Sequence, residues 1–231
     1  MNKNMHIDMY GQSFDLTGKE EDIKLLAGSL QFKNWLKKMD PRFVINKIRV
    51  QAVDRRYDGG LLFAKLSSDV VDIHGNIMHG NLFMRGDAVA MLIILKSNNK
   101  KWVVLTSQPR FPAGEFESIE IPAGMMDGKG DFTSTAAREI EEEAGIKIEA
   151  DKLVYLDEFL SSCGGSDERI KLYYCEIDMS ENEIEKLHGK ITGVEHENEK
   201  LQVIIVPFDE LPKNTRDPKS LLAFGCYNGW I

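Results

Sequence analysis

The chain has 231 residues, 42% of them hydrophobic and 29% charged, with a net charge of −8. That length suits one large domain, or one domain with a smaller appendage, and the acidic balance argues against a nucleic-acid surface, which needs a basic patch. Three cysteines, Cys163, Cys175 and Cys226, form no CxxC pair, so neither a zinc site nor a disulfide framework is expected.

The amino terminus is polar, with no visible signal peptide or membrane span, so a cytoplasmic location is the expectation. Over 19–38, Ile23, Leu25, Leu26, Leu30, Phe32, Trp35 and Leu36 recur at helical spacing. Asp40-Pro41 ends that helix, because the residue before a proline disfavours the α region. Residues 43–83 read as short strands with turns at 57–60 and 74–76. The nearly continuous apolar run 87–95 suits a strand covered on both faces. A turn at 97–100 returns the chain as a second strand over 102–106, and 118–121 is a further short strand. Residues 131–144 predict a helix, with Asp131 or Thr133 as its N-cap and Gly145 just past its end. Strands follow near 153–160, 169–177 and 200–207, and a closing helix spans 217–228. Mixed strands with a helix between them indicate an α/β or α+β sandwich.

Residues 138–146 read Arg-Glu-Ile-Glu-Glu-Glu-Ala-Gly-Ile, and an Ile-Pro-Ala-Gly turn lies upstream at 121–124. On a helix, Glu139, Glu142 and Glu143 stand at i, i+3 and i+4 and share one face. Carboxylates that close repel one another, and a divalent cation relieves the repulsion. Mg²⁺ prefers hard oxygen ligands and commonly holds substrate phosphates at the same time. Glu-Glu-Glu alone is more often a solvated helix face. The register with Gly124, Arg138 and Gly145 argues for chemistry.

These residues resemble the signature of the Nudix hydrolases, G-x5-E-x7-R-E-U-x-E-E-x-G-U with U aliphatic. Gly124, Arg138, Glu139, Ile140, Glu142, Glu143, Gly145 and Ile146 match it; position 130, where the first glutamate belongs, is Gly130. Segments 85–90, 107–110, 161–169 and 197–199 are similar to parts of ADP-sugar and ADP-ribose pyrophosphatases. Residues 19–38 and the strands after them resemble the amino-terminal region of plant-type ADP-sugar pyrophosphatases. The resemblance implies a Nudix α/β/α sandwich with a mixed sheet over 85–231. Before it, a helix-plus-antiparallel-strand region over 1–84 would serve dimerisation and the substrate pocket. It further implies a Mg²⁺-dependent enzyme (Mn²⁺ as a substitute) that hydrolyses ADP-ribose or ADP-glucose to AMP and a sugar phosphate. The partners implied are that substrate and a second copy of the chain, with no nucleic acid or membrane. The alternatives are other nucleoside diphosphate derivatives (oxidised nucleotides, dinucleoside polyphosphates, NADH or coenzyme A) and a non-catalytic nucleotide-binding module.

On this resemblance the metal ligands are Glu139, Glu142, Glu143 and the Ala123 carbonyl, at a turn where Gly124 lets the backbone approach closely. Arg138 is expected to orient a glutamate by ion pairing. Glu142 also belongs to the catalytic group. Glu197 and Glu199 are the candidates for a general base on a late loop; a metal-ligand role for Glu199, and a merger of the two roles, both stay open. Arg85 and Arg110 are candidates for phosphate or ribose contact, since Arg reads phosphate bidentately. Gly124, Gly164, Gly165 and Glu168 complete the substrate-binding set, the last three as a tight loop beside the terminal sugar.

Overall fold

The computed structural model describes residues 2–126, 131–193 and 200–230. The chain divides into two compact units, Met1–Asp87 with Leu160–Arg169, and Ala88–Phe159 with Ile170–Ile231.

The first unit holds a five-stranded sheet in the order β1 (Asn2–Met9), β2 (Gln12–Lys19), β3 (Phe43–Arg55), β4 (Leu61–Asp72), β5 (Asn81–Met84). The β1–β2 hairpin lies in sequence too polar to announce itself. Tyr10 and Gly11 turn it at φ 53° and 77°, the left-handed pair whose twist matches the flanking strands. All neighbours are antiparallel except β2 and β3, which run parallel. A parallel pair needs a crossover, and α1 (Glu20–Gly28) with α2 (Leu30–Lys37) supplies it. The single helix expected over 19–38 is therefore two. Ser29 is extended, at φ −71° and ψ 150°, and its hydroxyl accepts the Phe32 N–H; a serine so placed caps a new helix rather than continuing the old one. Ile23, Leu26, Phe32 and Leu36 pack with Phe14, Leu16, Ile48 and Leu66 in one buried core. Strands β3 and β4 are longer than the short strands expected, and three register shifts let them bend.

The second unit is built on a mixed eight-stranded sheet. Its main path is β10 (Val154–Leu160), β11 (Arg169–Asp178), β6 (Ala88–Ser97), β7 (Lys100–Arg110), β13 (Leu201–Pro207), β12 (Ile191–Thr192). β8 (Glu115–Glu120) adds to β7, and β9 (Ala123–Met125) adds to β6. Only β11 and β6 among the registered pairs run parallel. The apolar run of β6 is buried on both faces. Ala88, Ala90, Leu92 and Ile94 join a core with Ala223 and Phe224 of α6 (Pro218–Tyr227). Val89, Met91, Ile93 and Leu95 join the opposite core with Ala136 of α3 (Phe132–Glu139) and with Ile140 and Ala144. Helices on both sides of one sheet make this an α/β/α sandwich. α4 (Glu181–Leu187) and α5 (Leu211–Asn214) complete the unit.

The three cysteines are free. Cys175 lies in the core, and burial pushes its thiol up to about 12, which keeps it protonated and inert. Among the described residues, no helix is long and apolar enough to cross a membrane.

Candidate active site

The acidic segment is not one uniform helix. Asp131 caps α3, its carboxylate accepting the Ser134 N–H at 2.8 Å. The α-helix ends at Glu139, and Ile140–Ala144 continues as a wider π turn. Gly145 stops it in the left-handed conformation, φ 66°. The period change alters which side chains line up. Ile140 and Ala144 stay in the core, Glu141 faces solvent, and Glu143 is drawn inward to 3% exposure. Single π turns of this kind occur often at functional sites.

Strand β9 lies against this turn. It pairs with β6 through Ala123↔Ala90 and Val89↔Gly124, so its backbone is fixed by the buried centre of the sheet. The Ala123 N–H donates to Glu143 Oε2 at 3.0 Å. A Cβ built on Gly124 would stand 2.1 Å from Glu139 Cδ; only glycine leaves room for that carboxylate. Arg138 spans the outer side, donating from one guanidinium nitrogen to Glu142 Oε2 at 2.8 Å and from the other to Glu139 Oε1 at 2.9 Å. Thus Ala123, Gly124, Arg138, Glu139, Glu142 and Glu143 come together.

Their chemistry fits a hard divalent cation. The Glu139 carboxyl group itself stands where a Gly124 Cβ would be, and carboxylate oxygen is the donor type Mg²⁺ takes. Among the described residues, no three His, Cys, Asp or Glu side chains converge in an arrangement that would hold a metal. Arg138 supplies positive charge to two of the carboxylates in the arrangement seen here.

A second charged group lies in the same unit, around Arg110. Its guanidinium is bidentate on Glu120, at 2.8 and 2.9 Å. Lys219 also donates to Glu120, at 3.0 Å, and to Asp217 at 2.7 Å. Asp217 caps α6, and Ser220, fully buried, donates to Asp217 while accepting the Ile121 N–H at 2.9 Å. The start of α6 therefore holds the strand end that leads into Ala123. Burial alone would raise the Glu120 carboxyl, but the Arg110 hydrogen bonds and the Lys219 and Arg110 charges outweigh it and hold it down to about 2. Burial likewise opposes the Lys219 charge, and Asp217 and Glu120 reverse that, leaving it raised.

Three comparisons with known proteins bear on this geometry. The model of the NUDIX domain matches residues 84–224. Nudix hydrolase 14, chloroplastic, of Arabidopsis thaliana is 35% identical over 225 residues, covering 89% of this chain and 72% of that protein. The chain belongs to the Nudix family. It is a Nudix hydrolase, the class its Arabidopsis relative is named for. The methanol dehydrogenase activator of Bacillus methanolicus is 36% identical over 110 residues, 47% of this chain and 56% of that protein. A crystal structure of an ADP compounds hydrolase has the same fold, with a TM-score of 0.57 at 15% identity over 84% of this chain and 96% of that one.

The remaining residues of interest in this Nudix chain fall in three places. Arg85, Gly164, Gly165 and Glu168 all belong to the first unit, because Leu160–Arg169 folds with it. There the Arg85 side chain donates to Glu168 at 2.9 Å and stacks 5.0 Å above the Phe63 ring. Asp167 accepts the backbone N–H groups of Arg85 and Gly86, at 2.7 and 3.1 Å; burial raises its pKa, and those N–H bonds counter only part of the rise. The Gly165 carbonyl accepts the Phe83 N–H at 2.8 Å, and a Cβ on Gly164 or Gly165 would meet nothing. Glu197, Glu199 and Gly130 lie outside the described residues. Glu120, Asp217, Lys219 and Ser220 were not singled out from the sequence. The available signals were Asp217-Pro218, a cap followed by proline at the first helical position, and a glutamate placed directly before Ile-Pro-Ala-Gly.

Proposed function

We propose that this Nudix hydrolase cleaves the diphosphate of an ADP-sugar, ADP-ribose or ADP-glucose, to AMP and a sugar phosphate, with Mg²⁺ or Mn²⁺. The observation that carries the reading is the locking of Glu139 and Glu143 against the Ala123–Gly124 backbone. When bound, a divalent cation supplies charge neutralisation for the diphosphate and acidifies coordinated water. Glu139, Glu142, Glu143 and the Ala123 carbonyl would hold it. Arg138 keeps two of these carboxylates oriented. Glu120 fixes the Arg110 guanidinium in plane, and a fixed guanidinium suits bidentate phosphate contact. Arg85, Gly124, Gly164, Gly165 and Glu168 are the other substrate-binding candidates, and Glu197 or Glu199 the general base.

The ADP-sugar class rests on the segments at 85–90, 107–110 and 161–169; the structural neighbour is named for the broader class of ADP compounds. We also read the amino-terminal unit as a homodimerisation element and the cytosol as the setting, although the Arabidopsis relative is named chloroplastic.

The test is a substrate panel of ADP-ribose, ADP-glucose and NADH with Mg²⁺, read as AMP release. An ADP-sugar is expected to be turned over fastest. Glu143→Gln keeps an oxygen for the Ala123 N–H but removes the charge, and should lower kcat on the order of 100-fold. Wild-type turnover in that variant would refute the metal assignment, and turnover of NADH alone would refute the substrate class.

A further inference from the structure

A helix leaves its last carbonyls without partners inside the helix, and the end of the acidic turn is completed by a distant part of the chain. The Gly145 N–H takes the Glu141 carbonyl at 3.1 Å, as a C′ glycine does. The next two carbonyls belong to Glu142 and Glu143 themselves. The Gly193 N–H takes the first at 3.0 Å, and the Thr192 hydroxyl takes the second at 2.5 Å. Gly193 sits at φ 105°, a conformation glycine adopts without steric penalty. Strand β12 is only two residues long and is held in place by Ile191↔Gln202 and Thr192↔Leu201 of β13. Lys190 adds a cation beside the same helix end: a Cβ on Gly145 would lie 2.4 Å from its Nζ. Positive charge there opposes the negative pole of the helix.

These contacts bear on the carboxylates because a π turn is an uncommon state that depends on its surroundings. Tightening it to an α turn would rotate Glu143 about the helix axis and away from the Ala123 N–H that it now accepts. The bonds from Thr192 and Gly193 fasten the two peptide groups from which the Glu142 and Glu143 side chains project.

We propose that Thr192 is a positioning residue: its hydroxyl, with the Gly193 N–H, holds the π turn in the register that aims Glu142 and Glu143 at the bound cation. This rests on the metal-dependent reading above. The experiment compares the full-length wild type with Thr192→Ser, Thr192→Val and Gly193→Ala in two measurements. One is Mn²⁺ binding followed by electron paramagnetic resonance. The other is amide hydrogen exchange over 140–145 in metal-free protein. Thr192→Val should weaken Mn²⁺ binding about tenfold, the worth of one hydrogen bond at the upper end of its range, and speed exchange in that segment alone. Gly193→Ala should move both readouts the same way and covers the case in which Thr192→Val does not fold. Thr192→Ser keeps the hydroxyl and should stay within about twofold of wild type in both. Wild-type Mn²⁺ affinity in Thr192→Val overturns the proposal, as does equal weakening in Thr192→Ser. If the wild type itself binds no Mn²⁺, the metal reading falls and takes the cation clause with it. The exchange data then decide separately whether Thr192 holds the turn, and unchanged exchange in Thr192→Val rejects that as well.

Discussion

Gly124 and Glu139 define the residue scale, because each occupies space the other needs. A methyl at Gly124 would lie 2.1 Å from the Glu139 carboxyl carbon, closer than any contact allows. The glutamate is the flexible partner, so Gly124→Ala should displace the carboxylate rather than unfold the strand. The expected result is a fall in kcat of roughly 10- to 100-fold with little change in Tm. Steady-state kinetics beside a thermal melt would check this, and an alanine variant with normal kcat would mean that Glu139 needs no fixed place. The pattern of Gly124, Arg138 and the glutamates was legible as a string. The hydrogen bond from Ala123 to Glu143 was not, since it joins positions twenty apart that only the β6–β9 pairing brings into register.

At the scale of elements, the ion network joins β7, β8 and the start of α6 through Arg110, Glu120, Lys219 and Asp217. Glu120 ionises near 2 in the fold, against an ordinary value of 4.5. A carboxyl whose folded pKa is depressed contributes stability above its unfolded pKa and loses it as the pH falls through the folded value. The contribution is about 3 kcal/mol and should disappear between roughly pH 4.5 and 2. Lys219 works in the other direction: its raised pKa contributes stability that is lost only at strongly alkaline pH. Urea unfolding at a series of pH values should show Glu120→Gln less stable than wild type at pH 7, with the gap closing toward pH 2. Parallel curves down to pH 2 would contradict the assignment. Sequence reading picked out Arg110 but not its partners, because β7, β8 and α6 are separated by up to a hundred residues and hydrophobic periodicity carries no record of which charges will meet. The same limit explains the acidic helix: its start at Asp131 and stop at Gly145 were readable from capping chemistry, whereas the change from α to π within it, and the bonds its last carbonyls accept from 192 and 193, were not.

At the scale of the whole molecule, the two units bury separate cores, one around Phe14, Phe32 and Leu66, the other on both faces of β6. The first unit also leaves Tyr57, Ile73, Ile77 and Phe83 exposed. The second unit exposes Phe111, Phe116 and Trp230 as well, so exposure alone does not single out a face for association. The homodimer proposed for the amino-terminal unit predicts twice the 26.2 kDa chain mass in sedimentation equilibrium, and Ile77→Lys should shift the distribution toward monomer. A wild-type protein that sediments as a monomer at micromolar concentration would remove the dimer.

By itself, the sequence marked the central strand covered on both faces and the acidic helix beside it. The unbroken apolar run of β6 demands cover on both faces, and capping residues and glycines punctuate the helix that provides it on one side. Local chemistry of this kind is written in neighbouring residues. The tertiary structure alone decided the parallel β2–β3 pair, the break at Ser29, the membership of Leu160–Arg169 in the first unit and the partners of Arg85 and Arg110. It also decided that the last turn before Gly145 is a π turn. Each of these follows from a hydrogen bond, an ion pair or a packing contact that only the folded chain brings together.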